Sequence, residues 1–397
     1  MNTTTKPNYK KTLRACYLGF ITQVIAANFA PLLFLKLHND YHIPLGMIAL
    51  IPTAFFFTQL VVDIFCAKFV DRIGYRESIV ASEIFSVIGL IGLAFLPNLL
   101  SSAYAGIMIS VVLYAVGSGL IEVLCSPIVE ACPFKNKEAT MSLLHSFYCW
   151  GWVGVTLIST VLFNVIGIDN WPLVACFWAI VPLYNIYNFA TCPIEHLVDE
   201  GKGMTILQLF RSPLFWGAVV LMVCSGASEI SMAQWASAFV ESALGFSKTV
   251  CDLAGPCLFG ITMGICRVFY GKFGEKVDLS KFMIGSGLLC LICYLLASLS
   301  KNPVAALIGC IMCGFSIAIM WPGTLSISSK KIPAGGTAMF ALLAMAGDLG
   351  GSIGPSSVGM ISQKAGDNLQ YGLFFGGIFP VVLVVFLIVL KFMKEKE

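Results

Sequence analysis

Charge is scarce in this sequence. Of 397 residues, 11% are Asp, Glu, Lys or Arg, against roughly 25% in an ordinary soluble domain. That shortage argues against a water-soluble domain. The charge present nearly cancels, leaving a formal net of +3, so no nucleic-acid partner is indicated. A secretory leader is not expected either: the N-terminus is basic and then apolar, but no small-residue cleavage site ends that run, which reads instead as a first membrane span. The fifteen cysteines follow no secreted-scaffold pattern. Most lie inside apolar runs and read as reduced, small apolar side chains. Cys290-x-x-Cys293 and Cys310-x-x-Cys313 have zinc-ribbon spacing, yet both pairs fall in apolar stretches without polar support, so no metal is expected. GKFGEK (271–276) is not a P-loop, and no Ser-His-Asp arrangement is readable. Neither catalytic residues nor a cofactor are expected, and an enzyme is not indicated.

What is present is apolar surface: 58% hydrophobic residues and a mean hydropathy of +0.88. A helix needs about 20 mostly apolar residues to cross a bilayer. Twelve stretches meet that test, at 12–36, 45–67, 78–97, 103–130, 139–166, 171–192, 213–240, 249–271, 280–299, 303–329, 336–362 and 370–391. They are the first to the twelfth span below. The longest polar interruption, 193–213, follows the sixth span. The expected organisation is all-α: six helices in residues 1–195, a cytoplasmic linker at 196–212, and six helices in 213–397. Nineteen Lys and Arg, from Lys6 to Lys396, fall on one side; only Lys36, Lys248, Lys301 and Lys364 fall on the other. The positive-inside rule then predicts a multi-pass plasma-membrane protein with both termini in the cytoplasm.

The two halves resemble each other. AKFVDR (67–72) follows the second span and GKFGEK (271–276) the eighth, each placing an acid and a base at a cytoplasmic helix end. The same alignment sets Asp63 opposite Arg267, and Ser126-Pro127 opposite Trp321-Pro322. Two parallel six-helix repeats are a transporter signature, with a site where the repeats meet.

These segments also carry a family resemblance. AKFVDRIGYR (67–76) is similar to the loop motif of the major facilitator superfamily, Gly-x-Leu-x-Asp-Arg-x-Gly-Arg-Arg, through Asp71, Arg72, Gly74 and Arg76, with Ala67 replacing the first Gly. Gly119, Glu122 and Pro127 resemble the fourth-span Gly-x-Glu-x-x-x-x-Pro pattern of its fucose permease and glucose/mannose symporter group. SGASEISMAQW (225–235) and GICRVFYGKFGEKVDLSKFM (264–283) resemble that group's seventh-span acidic segment and eighth-span end. The resemblance implies two six-helix bundles around a central cavity, and proton-coupled uptake of a small polar solute, a monosaccharide, by alternating access. One departure matters: where the fucose permease carries a first-span carboxylate, this chain has Gln23 and Asn28. Sodium is the other candidate ion. A proton-driven exporter of drugs or metabolites is the alternative function, and a membrane sensor without flux a third. A monomer in the lipid bilayer is expected.

The site residues follow from cost. An ionisable group at membrane depth costs at least about 2.5–3.5 kcal/mol, which makes it a functional candidate. Glu122, Glu229 and Asp348 are the proton-coupling candidates. Desolvation disfavours a charged carboxyl, so such a group can be neutral when buried and release its proton when water reaches it. A carboxylate bonded to a neighbouring helix is the plainer alternative for Glu122. Sugar hydroxyls need amides and acids, and a sugar ring face needs an aromatic plane. Gln23, Asn28, Gln59, His145, Trp152, Gln234 and Trp321 are the substrate-binding candidates, although a Trp commonly packs and His145 also fits a bonded core histidine. Asp63, Asp71, Arg72, Arg76, Arg267, Glu275 and Lys276 are assigned to the cytoplasmic gate. Glu83, near the start of the third span, is expected to reach out to the interface. Gly260 with Gly264, and Gly347 with Gly351, are spaced for close helix packing.

Overall fold

A computed structural model describes residues 7–43, 47, 50–197, 203–244, 257–366 and 368–392. All regular structure among them is helical. Eleven helical stretches among the described residues are long and apolar enough to cross a membrane. The remaining span, the eighth, is the helix Leu258–Phe273; its expected first part, 249–256, lies outside the described residues, as do Lys6, Lys202, Lys248, Lys394 and Lys396 of the charge count.

Helix ends are set by local chemistry. Asn302 caps the tenth span by accepting from the backbone N–H of Val304 at 2.9 Å, ahead of Pro303. Asp278 does the same for the ninth through Lys281 N at 2.8 Å, and Asn368 for the twelfth through Gln370 N at 3.0 Å. These side chains satisfy amides that have no partner within the helix. The second and third spans, Leu50–Ile73 and Tyr75–Leu99, are joined by Gly74 alone. Its φ of 104° is a left-handed conformation that glycine adopts without strain.

The chain divides into two compact units: Met1–Phe134 with Gly151–Lys202, and Lys135–Trp150 with Gly203–Glu397. In the first, the third and fourth spans pack backbone to backbone: a Cβ at Gly89 would lie 2.5 Å from Tyr114 N, and one at Gly117 2.4 Å from Ser82 O. In the second, the seventh and eleventh spans do the same. A Cβ at Gly226 would lie 2.0 Å from Gly347 O, and one at Gly350 2.0 Å from Val223 O. Small residues are what permit such approach where lipid supplies no hydrophobic drive between helices.

The outward surface fits that solvent. Phe57, Leu99, Val165 and Tyr187 in the first unit, and Leu299 and Val304 in the second, are all more than half exposed, large apolar side chains of the kind that suit a lipid surface. The fourteen described cysteines are free thiols, and all but Cys176 and Cys257 are at least nine-tenths buried. Cys290 and Cys313 face each other from the ninth and tenth spans, their sulfurs 3.8 Å apart. No cluster of three or more His, Cys, Asp or Glu suited to a metal occurs among the described residues.

Candidate functional site

In the first unit, side chains from two other spans converge on Glu122 of the fourth. Gln23 Nε2 in the first span donates to Glu122 Oε2 at 3.1 Å. Gln59 Nε2 in the second donates to the same oxygen at 2.9 Å and to Ser118 Oγ at 3.2 Å. Gly119 makes the second contact possible: a Cβ there would lie 3.0 Å from Val62 Cγ1 and 3.4 Å from the Cα of Gln59. An amide N–H bonds only an oxygen with a free lone pair. Both of these donors fall on Oε2. Gln23 Oε1 is buried and has no hydrogen-bond partner among the described residues, so it remains an acceptor for a hydroxyl. Asn28, by contrast, turns its amide back onto Val24 O of its own helix at 3.1 Å.

Glu83 corrects the sequence expectation. The third span begins at Tyr75, earlier than the apolar run suggested. Glu83 thus lies eight residues inside the helix, about 12 Å along it at 1.5 Å per residue, and is fully buried instead of reaching outward. Its Oε1 accepts from Asn185 Nδ2 of the sixth span at 2.7 Å, and the same nitrogen donates to Ala15 O of the first span at 3.0 Å. Oε2 has no hydrogen-bond partner among the described residues. Asn185 drew no attention in the sequence because an amide in an apolar run is a weak signal without knowing what it faces.

In the second unit, Arg267 is the hub. It is 3% exposed, and its Nη2 lies 3.6 Å from Glu229 Oε2. Nη1 donates to His145 O at 2.9 Å and Cys149 Sγ at 3.2 Å, while Nε donates to Ala318 O at 2.8 Å. Ser142 Oγ donates to the carbonyl of Arg267 at 2.8 Å. Residues 137–150 of the fifth span are therefore fastened along the eighth, and Glu138 continues the seam by pairing with Lys330 and accepting from Tyr270 Oη. His145 is buried and contributes its backbone here. The structure joins Arg267, a gate candidate, to Glu229, a coupling candidate.

The eleventh span supplies Asp348, whose Oδ2 is buried without a hydrogen-bond partner among the described residues. One residue before it, Gly347 accommodates Trp321: a Cβ there would lie 2.2 Å from the indole ring. Trp321 therefore packs flush on the eleventh span. Trp235 packs in the same manner over Gly359 and donates from Nε1 to Pro355 O at 3.0 Å. Gln234 beside it is exposed, and Trp152 in the first unit is half-buried.

Of the gate candidates, Asp63 is fully buried within the second span, whereas Asp71 and Arg72 at its end are exposed. Arg76 reaches the last turn of the sixth span. Its Nη1 donates to Phe189 O at 2.8 Å and Ala190 O at 2.9 Å, and Nη2 to Cys192 O at 2.8 Å. A helix C-terminus presents carbonyls without partners and a partial negative charge, so a guanidinium is well suited to it. Lys276 is exposed; the side chain of Glu275 lies outside the described set.

The Major Facilitator Superfamily profile matches residues 15–355 and 258–396 of this chain. An uncharacterised MFS-type transporter of Yersinia pestis is 22% identical over 271 residues, 68% of each chain. The structure is similar to that of a single-residue variant of the Escherichia coli fucose:proton symporter FucP, with a TM-score of 0.81 at 14% identity over 96% of this chain and 98% of that one. It is equally similar to the proton:xylose symporter XylE bound to 6-bromo-6-deoxy-D-glucose, with a TM-score of 0.82 at 13% identity over 97% and 96%. The profile match extends over nearly the whole of an all-helical, polytopic chain, and the chain belongs to the Major Facilitator Superfamily of membrane transporters, not to any class of enzyme.

Proposed function

We propose that this transporter takes up a monosaccharide together with protons by alternating access. The observation that carries the reading is the arrangement at Glu122. One carboxylate oxygen is held by two amides from other helices, and the carbonyl of Gln23 is a buried acceptor without a donor among the described residues. A proton carrier and hydroxyl-binding groups therefore lie side by side, which is the minimum a sugar-proton symporter needs. FucP and XylE are named as a fucose:proton and a proton:xylose symporter, and their likeness adds support. Glu229 and Asp348 are the corresponding acids of the other sequence half.

The halves that rock are residues 1–195 and 213–397, joined by the linker 196–212. The protein acts as a monomer in the cell membrane, with both termini cytoplasmic as the Lys and Arg distribution requires. Purified protein in proteoliposomes should accumulate labelled monosaccharide when the outside is acidified. Uptake unchanged by collapsing the gradient would remove the proton from the reading and make sodium the ion to test. Efflux of an amphipathic compound in exchange for protons, without sugar uptake, would favour the exporter instead.

A further inference from the structure

The tenth span is broken. A helix runs Pro303–Ile317, Ala318 and Ile319 form a turn, and a second helix runs Met320–Lys331. Pro322 explains the weakness. It has no N–H, and in an unbroken helix that N–H would bond the carbonyl four residues back, Ala318 O. The ladder resumes one residue later, where Gly323 N donates to Ile319 O at 2.8 Å. A bare carbonyl at membrane depth is expensive, because neither lipid nor water is there to bond it. Ala318 O is not bare: Arg267 Nε donates to it at 2.8 Å from the eighth span.

The sequence repeat supplies an internal comparison. Pro127 aligns with Pro322, yet the fourth span runs unbroken from Ala103 to Ala131. Asp63 aligns with Arg267, so the first half has no guanidinium at the equivalent position. The half with the arginine has the break; the half with the acid does not.

We propose that Arg267 and Pro322 form a hinge pair that positions Trp321. Pro322 removes a donor from the tenth span, and Arg267 returns one from another helix, so the helix is interrupted just before Trp321 without leaving the Ala318 carbonyl unbonded. Glu229, His145 O and Cys149 occupy the other guanidinium nitrogens and hold Arg267 in register. Neutralising Glu229 removes one of these holds, which links that acid to the hinge. Arg267 is thus a positioning residue that acts through the tenth span. The role rests on the transport reading above for its purpose, but the pairing itself does not.

The pairing is tested by double substitution. Pro322→Ala restores the N–H, so the tenth span closes its own bond to Ala318 O and no longer needs Arg267. In the native background, Arg267→Lys, which keeps the charge opposite Glu229 but loses the planar fork, should lower Tm by about 2–4 °C or more. The Arg267→Gln, Glu229→Gln double variant should do the same without stranding a buried charge. In the Pro322→Ala background at least half of each loss should disappear. Hydrogen exchange should show the amides of 319–321 and 323 exposed by the arginine variants and protected by Pro322→Ala. Additive Tm losses and unchanged exchange would overturn the hinge, whatever solute the protein carries. These readouts need no substrate, so they stand apart from failure of the sugar or proton reading, which shows only in the proteoliposome assay.

Discussion

Gln59 and Glu122 lie on neighbouring helices with Nε2 and Oε2 2.9 Å apart, and Gln23 reaches the same oxygen from a third helix. In the proposed function Glu122 carries the coupling proton. Glu122→Gln should therefore abolish gradient-driven accumulation, because an amide keeps the shape and much of the bonding but cannot release an ion. Exchange of labelled for unlabelled sugar needs only the loaded carrier, so counterflow should survive. Accumulation by the variant would show that Glu122 is not the obligatory coupling group. Loss of both activities would make it a substrate ligand or a structural carboxylate.

Gln59→Leu removes one of the two donors. A hydrogen bond to a charged group contributes about 1.5–3 kcal/mol, so uptake at low substrate should fall roughly 10- to 100-fold, at about 1.4 kcal/mol per factor of ten. Initial uptake rates measure this. A change of less than twofold would mean that Gln23 alone orients the carboxylate.

Gly226→Ala places a Cβ 2.0 Å from Gly347 O. Both partners are backbone, so no rotamer change relieves the clash. The expected loss is about 1–3 kcal/mol or more, read as a lower Tm of the purified protein. Gly285→Ala in the ninth span is the control, since a Cβ there meets nothing within 4 Å. Equal effects at the two sites would mean that propensity, not helix approach, governs the glycines.

Glu83→Gln keeps an acceptor for Asn185 and should retain stability to within about 1 kcal/mol. Glu83→Leu leaves one Asn185 N–H without its acceptor, the bond to Ala15 O remaining, and should cost about 1–3 kcal/mol. Glu83→Gln should also leave proton-driven accumulation intact, which separates a helix fastener from a coupling acid. Loss of accumulation in that variant would move Glu83 into the proton path.

Much of the fold was legible because burial in lipid is a local cost. A run of about 20 apolar residues declares a span wherever its neighbours are, and the resemblance of GKFGEK to AKFVDR reads as a repeat of the first half in the second. Boundaries were less secure at the third span: Tyr75, Arg76 and Glu77 are polar but helical, and reading the helix as starting later put Glu83 at the wrong depth. The acids at Glu122, Glu229 and Asp348 stood out for the same local reason.

Their partners did not stand out. Each residue turns about 100° around a helix axis, so which side chain meets which depends on the rotation and approach of helices far apart in sequence. Gln59 reaches Glu122 because Gly119 lets the two backbones close in. Arg267 was legible as a buried cation, and Pro322 as a missing donor. That the one answers the other at Ala318 O is a fact of packing between the eighth and tenth spans. Sequence alone determined that these groups must be compensated within the membrane; tertiary structure decided by what, because a hydrogen bond tolerates only a few tenths of an ångström and no periodicity encodes distance at that scale.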